Sequence, residues 1–490
     1  MNNFNILEYK FIPVRYIKHS GNKNPFLVSL TDAFIRCEEI ADLDCAPHER
    51  IALLRLLICI AHAALGAPKS PDHWDDFGED LEEKITAYLK RPEISPHFNL
   101  LGDGARFLQE DVPSNGEVTP LSKLTPYLAT GNNPTSSDHF GISPHRKFSP
   151  AQAILALLAF QNFYPLYGAG YKGRGPCADG NAIHTFLHGK NLKAILLLNL
   201  LDHQTIQEFA PNGIGKPIWE CKSDEELEAS TRTYLGRLVP RHRSLKITDD
   251  LSGFYHRKKS LLYSSWEPYR EPTSTVILNH KKERRLLSAR LDRGIWRDLH
   301  SIIALKKNSQ TKDVEVAPIL RSHMLAFDAG ECTLWTGALI TDFKAKILDT
   351  VESTFTINHQ MFSLHGYMTY LSGLDLAEII STKLYGAIRV YWSALKHETP
   401  PTKEGQKHYW NCLDQDHRIL IQLAGNPESP LGETDFGQAD AEDEWTKLVR
   451  GAAKNAYESV CPRTTPRQLK AYAAGLSTLN RALFQKKEAK

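Results

Sequence analysis

Residues 151–160 read AQAILALLAF and are apolar almost all round. A helix with no polar stripe has nowhere to lie except inside a core that other segments build. Its start is well marked: Ser149 suits the N-cap, and Pro150 suits the first helical position, where the missing N–H costs nothing. On either side stand two polar, glycine-bearing loops, GNNPTSSDHFGIS at 131–143 and YPLYGAGYKGRGPCADGN at 164–181. A buried helix with a loop at each end is a rigid base that can present both loops to one partner. The pattern predicts a recognition surface.

The second loop holds a G-x-G-x-x-G at Gly168, Gly170 and Gly173. A dinucleotide site needs a strand before that motif and a helix opening at it. Here the preceding segment reads as helix, and Pro176, Asp179 and Gly180 break any helix that would follow. The Rossmann reading is set aside for that reason. Gly168, Ala169 and Gly170 still keep the backbone free of large side chains, so another molecule can come close. Tyr171, Lys172 and Arg174 place a stacking ring and positive charge beside it. A plain surface turn with solvated charges is the alternative.

The chain has 490 residues, enough for two to three domains or one large core with an appendage. Its formal charge is only +2, so no global polycationic field marks it for nucleic acid. Eight cysteines are scattered without a C-x-x-C pair, which argues against a zinc ribbon or a disulfide framework and for reduced thiols. No signal-peptide layout opens the sequence, and no apolar run has the ~18 residues of a membrane span. A soluble, cytoplasmic protein is expected. FIPVR at 11–15 reads as a short edge strand because of Pro13. Residues 48–65 read as a buried helix ended by Gly66, residues 80–90 as an amphipathic helix, and 185–201 as a strand or a short helix.

Charge becomes uneven further on. The window 241–310 holds 16 Lys and Arg against 7 Asp and Glu, a net +9. Strand-like pieces alternate there with Arg257-Lys258-Lys259 and with the run 281–285, and Tyr255, Tyr263, Trp266, Tyr269 and Trp296 are interleaved. Lys and Arg on a sheet neutralise phosphates and release counterions, so a nucleic-acid backbone fits. A solvated face on an otherwise acidic protein fits equally well.

From about residue 359 the sequence turns helical. Leu376, Ile379, Ile380, Leu384, Ala387, Ile388, Tyr391 and Leu395 keep one apolar face, and further helices are expected over 405–423, 443–460 and 466–484. Four helices with breaker-rich links describe a four-helix bundle. The fold class is therefore α+β: a mixed N-terminal domain over 1–356 and a bundle over 357–490. No H-E-x-x-H, G-x-x-x-x-G-K-[ST], G-x-S-x-G or EF-hand spacing occurs, so no catalytic residue, metal ligand or cofactor is assigned. An enzyme such as a metal-dependent nuclease with an unrecognised site is the competing reading.

The order FIPVR (11–15), LLRLLICIAHAALGAP (53–68), FLQ (107–109), VTPLSKL (118–124), TGNN (130–133), YGAGYKG (167–173), TFLHGKNL (185–192) and LLLNL (196–200) resembles the CasA family, the large subunit of type I-E Cascade complexes in CRISPR defence. The likeness runs on through Trp219, the 266–272 segment and HYW at 408–410. It implies a non-catalytic subunit with a mixed N-terminal domain and a C-terminal four-helix bundle. Such a subunit recognises the protospacer-adjacent motif in double-stranded DNA from the minor groove and helps strand separation and R-loop formation. It works with guide RNA and the other Cascade subunits, and provides the platform for a helicase-nuclease or for a nuclease attached to another subunit. Guide pairing then reads sequence, while protein reads only the short motif.

Carried over by position, the resemblance puts DNA contacts on Ser136, Ser137 and Asp138 in the first loop and on Gly168, Ala169, Gly170, Tyr171 and Lys172 in the second. The family's lysine aligns with Arg257, with Lys258 and Lys259 in reach, and the strand-separating wedge aligns with Lys344. Bare backbone and short side chains suit the narrow minor groove. Three departures stand out. Ser136 and Asp138 replace an aromatic and an asparagine, a lysine stands where the wedge is glutamine, and only Cys221 remains of a cysteine cluster.

Overall fold

The computed structural model describes the chain except residues 1–3, 20–23, 70–72, 114–115, 126–146, 164–172, 264–270, 280, 306–312, 325–329, 343–346, 429–442 and 485–490. It divides into two compact units. The first comprises residues 1–290, 307–327 and 333–354; the second comprises 291–306, 328–332 and 355–490.

The first unit is built on two buried helices. In Pro47–Leu65 Glu49 reaches back to the Ala46 N–H (3.2 Å), and the helix stops at Gly66, whose φ of +81° carries the chain out of the helix. The central helix, Pro150–Phe163, starts as its sequence predicts: Ser149 Oγ accepts from the Gln152 N–H (3.3 Å), and Gln152 Oε1 accepts from the Ser149 N–H (3.0 Å). Ile154, Leu157 and Leu158 are fully buried along it. The ambiguous 185–201 stretch contains both alternatives, the strand His184–His188 and the helix Leu192–Leu198 capped by Asn191.

Small antiparallel sheets surround these helices. One has the order 26–28, 12–16, 40–43, so the strand Ile12–Tyr16 is central and not an edge. Pro13 is tolerated because it removes only a donor: its carbonyl still accepts from the Asp44 N–H at 2.9 Å. A second sheet has the order 119–120, 253–260, 243–247; a third has 314–315, 276–278, 284–286. In a fourth, Thr333–Gly337 pairs in register with His184–His188.

The second unit is helical. Leu364–Ala394 begins at the Ser363 cap, a dozen residues before the periodic run read from sequence, and Thr402–Asp416, Arg418–Ala424, Glu444–Val460 and Pro466–Phe484 follow. The helix expected over 405–423 is therefore interrupted at His417. Leu291–Lys306 belongs to this unit although it lies inside the basic stretch of the sequence. Its Trp296 stacks on His417 and donates to Asp414 Oδ1 (2.6 Å). No helix among the described residues is long and apolar enough to cross a membrane, and all eight cysteines are free thiols.

Candidate nucleic-acid interface

Arg257, Lys258 and Lys259 sit on the strand Gly253–Ser260, exposed at its far half. Alternation along a strand puts Arg257 and Lys259 on one face and Lys258 on the other. The basic strand pairs on one side with Thr119–Pro120 and on the other with Arg243–Ile247, with a register shift between Arg243 and Leu245. Ser136, Ser137, Asp138, Gly168, Ala169, Gly170, Tyr171, Lys172 and Lys344 lie outside the described residues. What the structure does describe is where their loops are rooted.

The first loop leaves from the short helix Leu121–Leu124, whose Leu121 N–H donates to Ser252 O (3.0 Å), and it returns at Phe148, whose N–H donates to Leu251 O (3.1 Å). Both roots are thus bonded to the two residues that lead into the basic strand. The second loop leaves from the end of the central helix and returns at Gly173. Arg243 holds that return: one guanidinium nitrogen donates to Gly173 O (3.0 Å), another to Ser260 Oγ. Gln161, buried on the central helix, grips Arg243 from behind, accepting from its N–H (2.8 Å) and donating to its carbonyl (2.9 Å). Gly175 closes the frame, because a Cβ there would meet Asn162 O at 2.3 Å. Sequence reasoning missed Gln161; the pair Gln161-Asn162 at the end of an apolar run was the available signal.

The same unit holds a buried charge cluster. Glu271 is held between Arg55 and Arg237, all three with fully buried side chains. Burial would raise the Glu271 carboxyl, but the two guanidinium groups outweigh it and bring it down to about 2. Arg55 also donates to Leu238 O (3.0 Å), Arg237 O (2.7 Å) and Thr273 Oγ1 (3.1 Å). The cluster fixes the chain immediately after residues 264–270.

Among the described residues, Cys177, His184 and Glu271 form the one group with metal-ligand spacing. Their chemistry does not suit a cation. Both Glu271 oxygens face guanidinium groups, His184 is engaged by Thr273 Oγ1 (2.7 Å) and Cys177 O (2.9 Å), and burial pushes the Cys177 thiol up to about 12. A cation would have to displace these bonds beside two fixed positive charges.

The family model for CRISPR-associated protein Cse1 matches residues 5–456. CRISPR-associated protein CasA/Cse1 of Thermus thermophilus is 27% identical over 509 residues, covering 99% of this chain and 98% of the relative. Among solved structures, Thermus thermophilus CasA matches with a TM-score of 0.77 at 24% identity, covering 99% of each chain. A chain of a CRISPR RNA-guided surveillance complex matches at 0.71 and 17% identity, over 98% of this chain and all of that one. With its small antiparallel sheets, its helical C-terminal unit and a family match over nearly its whole length, this chain belongs to the CRISPR-associated Cse1 family.

Proposed function

We propose that this chain is the non-catalytic large subunit of a type I-E RNA-guided surveillance complex in the cytoplasm. It recognises the protospacer-adjacent motif in double-stranded DNA, promotes strand separation and R-loop formation, and offers a docking platform to the nuclease. Guide RNA and the other Cascade subunits are its partners. The helical unit acts in this as a four-helix bundle, with Thr402–Asp416 and Arg418–Ala424 as one broken member. One observation carries the reading: the basic strand and the roots of both glycine-bearing loops are bonded to the same three-stranded sheet. In this proposal Ser136, Ser137 and Asp138 read base edges with Gly168, Ala169, Gly170, Tyr171 and Lys172, while Arg257, Lys258 and Lys259 hold phosphates and Lys344 supports the opened strand.

The test is duplex binding by the guide-RNA complex with and without this chain, across a library randomised beside the target. Enrichment of a short fixed motif only when the chain is present is the expected result. No added preference would reject the recognition role. Divalent-metal-dependent cleavage by the isolated chain would instead favour a nuclease.

A further inference from the structure

The face of the basic strand that carries Arg257 and Lys259 is not open. Arg257 Nη1 and Lys259 Nζ each stand 3.9 Å from Glu110 Oε1, and Arg241 Nη2 stands 3.9 Å from Glu110 Oε2. Three cations, two on the basic strand and one just before the strand Arg243–Ile247, thus converge on one carboxylate, and none comes within hydrogen-bond distance of it. Charge-assisted bonds to an oxyanion are normally 2.7–2.9 Å long, so Glu110 holds the cations together without bonding them, and Arg241 donates instead to Gln109 O at 3.5 Å. Lys259 has a second carboxylate, Asp224, at 3.1 Å. The groups are solvent-accessible: the Arg257 and Lys259 side chains are 45% and 46% exposed, and Glu110 is 20% exposed.

The position of Glu110 is fixed from its backbone. Its N–H donates to Leu245 O (3.0 Å), and its neighbour Gln109 is pinned by the Ile247 N–H (2.8 Å) and by Leu100 O (2.8 Å). Arg241 is fixed as well, its N–H donating to Tyr263 Oη at 3.1 Å. Beside them opens a cleft of about 280 Å³ lined by Arg106, Asp111, Trp219 and Lys246, together with Glu110 and Arg241. An anion in the cleft meets Arg241, and the half-exposed Arg257 and Lys259 are open to it from solvent.

We propose that Arg241, Arg257 and Lys259 form one subsite for a backbone phosphodiester, and that Glu110 occupies it until nucleic acid displaces the carboxylate. The proposal rests on the nucleic-acid reading of the basic strand and adds two residues to it, a third cation and an internal competitor. A phosphodiester carries the same charge as the carboxylate but is not tethered to the Glu110 backbone, which its bond to Leu245 O holds in place, so it can move to hydrogen-bond distance where Glu110 does not. Displacement returns a free carboxylate beside the bound backbone, which raises the cost of every weak encounter. Glu110 acts as a positioning residue that keeps motif-independent binding low.

The experiment uses the full chain and a short duplex of random sequence, with affinity read over a range of salt. Glu110→Gln is expected to tighten binding about threefold to tenfold, as removal of an exposed competing charge should, and to steepen the salt slope by up to about one unit. Arg257→Ala with Lys259→Ala should weaken binding, and in that background Glu110→Gln should have little further effect. Glu110→Ser, which also lacks the charge, serves where the glutamine variant melts early. If the double alanine variant weakens binding but neither Glu110 variant tightens it, Glu110 is no competitor and the proposal fails alone. If the double alanine variant binds as the parent does, the basic strand is not the nucleic-acid face and both readings fall.

Discussion

The two units keep their large buried side chains in different company. Beside buried tyrosines and amides, the first unit holds a charged group in its interior: Arg55, Arg237 and Glu271, from positions 55, 237 and 271, meet with no exposure to solvent. In the helical unit the largest fully buried polar side chains are rings with one polar atom. Tyr370, Tyr391, Tyr409, Tyr457 and Trp445 are all fully buried. Each places its single donor on a main-chain carbonyl, as Tyr409 does on Ala377 O (2.9 Å) and Trp445 on Gly373 O (2.9 Å). Helices satisfy their own backbone, so their core needs only volume and an occasional donor. The first unit joins short strands and irregular segments whose carbonyls point inward, and guanidinium groups with several donors each can satisfy many of them at once. In the helical unit the corresponding ion pairs, Arg293 and Arg297 with Glu378, end on a carboxylate half exposed to solvent.

Acid should separate the units most widely. Burial depresses His48 to about 3 and His62, His184 and His242 to about 4, all in the first unit; the helical unit holds His300 in the same condition. A depressed folded-state value means that the unfolded chain takes up protons first. The contribution is whole above the unfolded value of about 6.5 and is lost as pH falls towards 4 and then 3. Glu271 follows the same sign lower down, between its usual carboxylate range and about 2. Pulse-labelled hydrogen exchange, read peptide by peptide, should show the first unit opening between pH 6.5 and 4 while Leu364–Ala394 stays protected. Simultaneous loss in both would mean that they unfold as one body, and the contrast would not govern stability.

Mutation gives the next largest effect. Glu271→Gln leaves two guanidinium groups buried without a counter-charge and should cost about 3–5 kcal/mol in denaturant unfolding. A loss below about 1 kcal/mol would show that water reaches the cluster. The smallest effect belongs to the helical unit. Tyr409→Phe removes one hydroxyl from a helix carbonyl that keeps its own helical bond, and should cost about 1 kcal/mol. A cost as large as that of Glu271→Gln would erase the distinction between the two cores.

What was legible in the sequence follows the same division. The central helix and its Ser149 cap were readable because periodicity and capping are local, and so were the C-terminal helices, apart from the break at His417. Arg55 was passed over inside the buried helix, and nothing local names its partner Glu271, 216 residues away. Pro13 misled because the edge rule concerns donors, and this strand could spare one. Trp296 lay in a basic stretch, and its place among the C-terminal helices depends on Asp414 and His417, which no window of sequence connects to it. Of the candidate site, the basic triplet stood out by charge; Glu110 and Arg241 did not, since convergence on a point is a property of space.

Gln161 has a wider consequence. One amide, at the buried end of the central helix, fastens the strand that in turn fastens the loop return, and among the described residues the roots of the other loop are tied by the main-chain bonds of Leu121 and Phe148. None of these fastenings uses a side chain from 126–146 or 164–172. In the proposed recognition role, the letters that read and the described bonds that mount are carried by different residues, so a change in the first leaves Gln161 and Arg243 as they are.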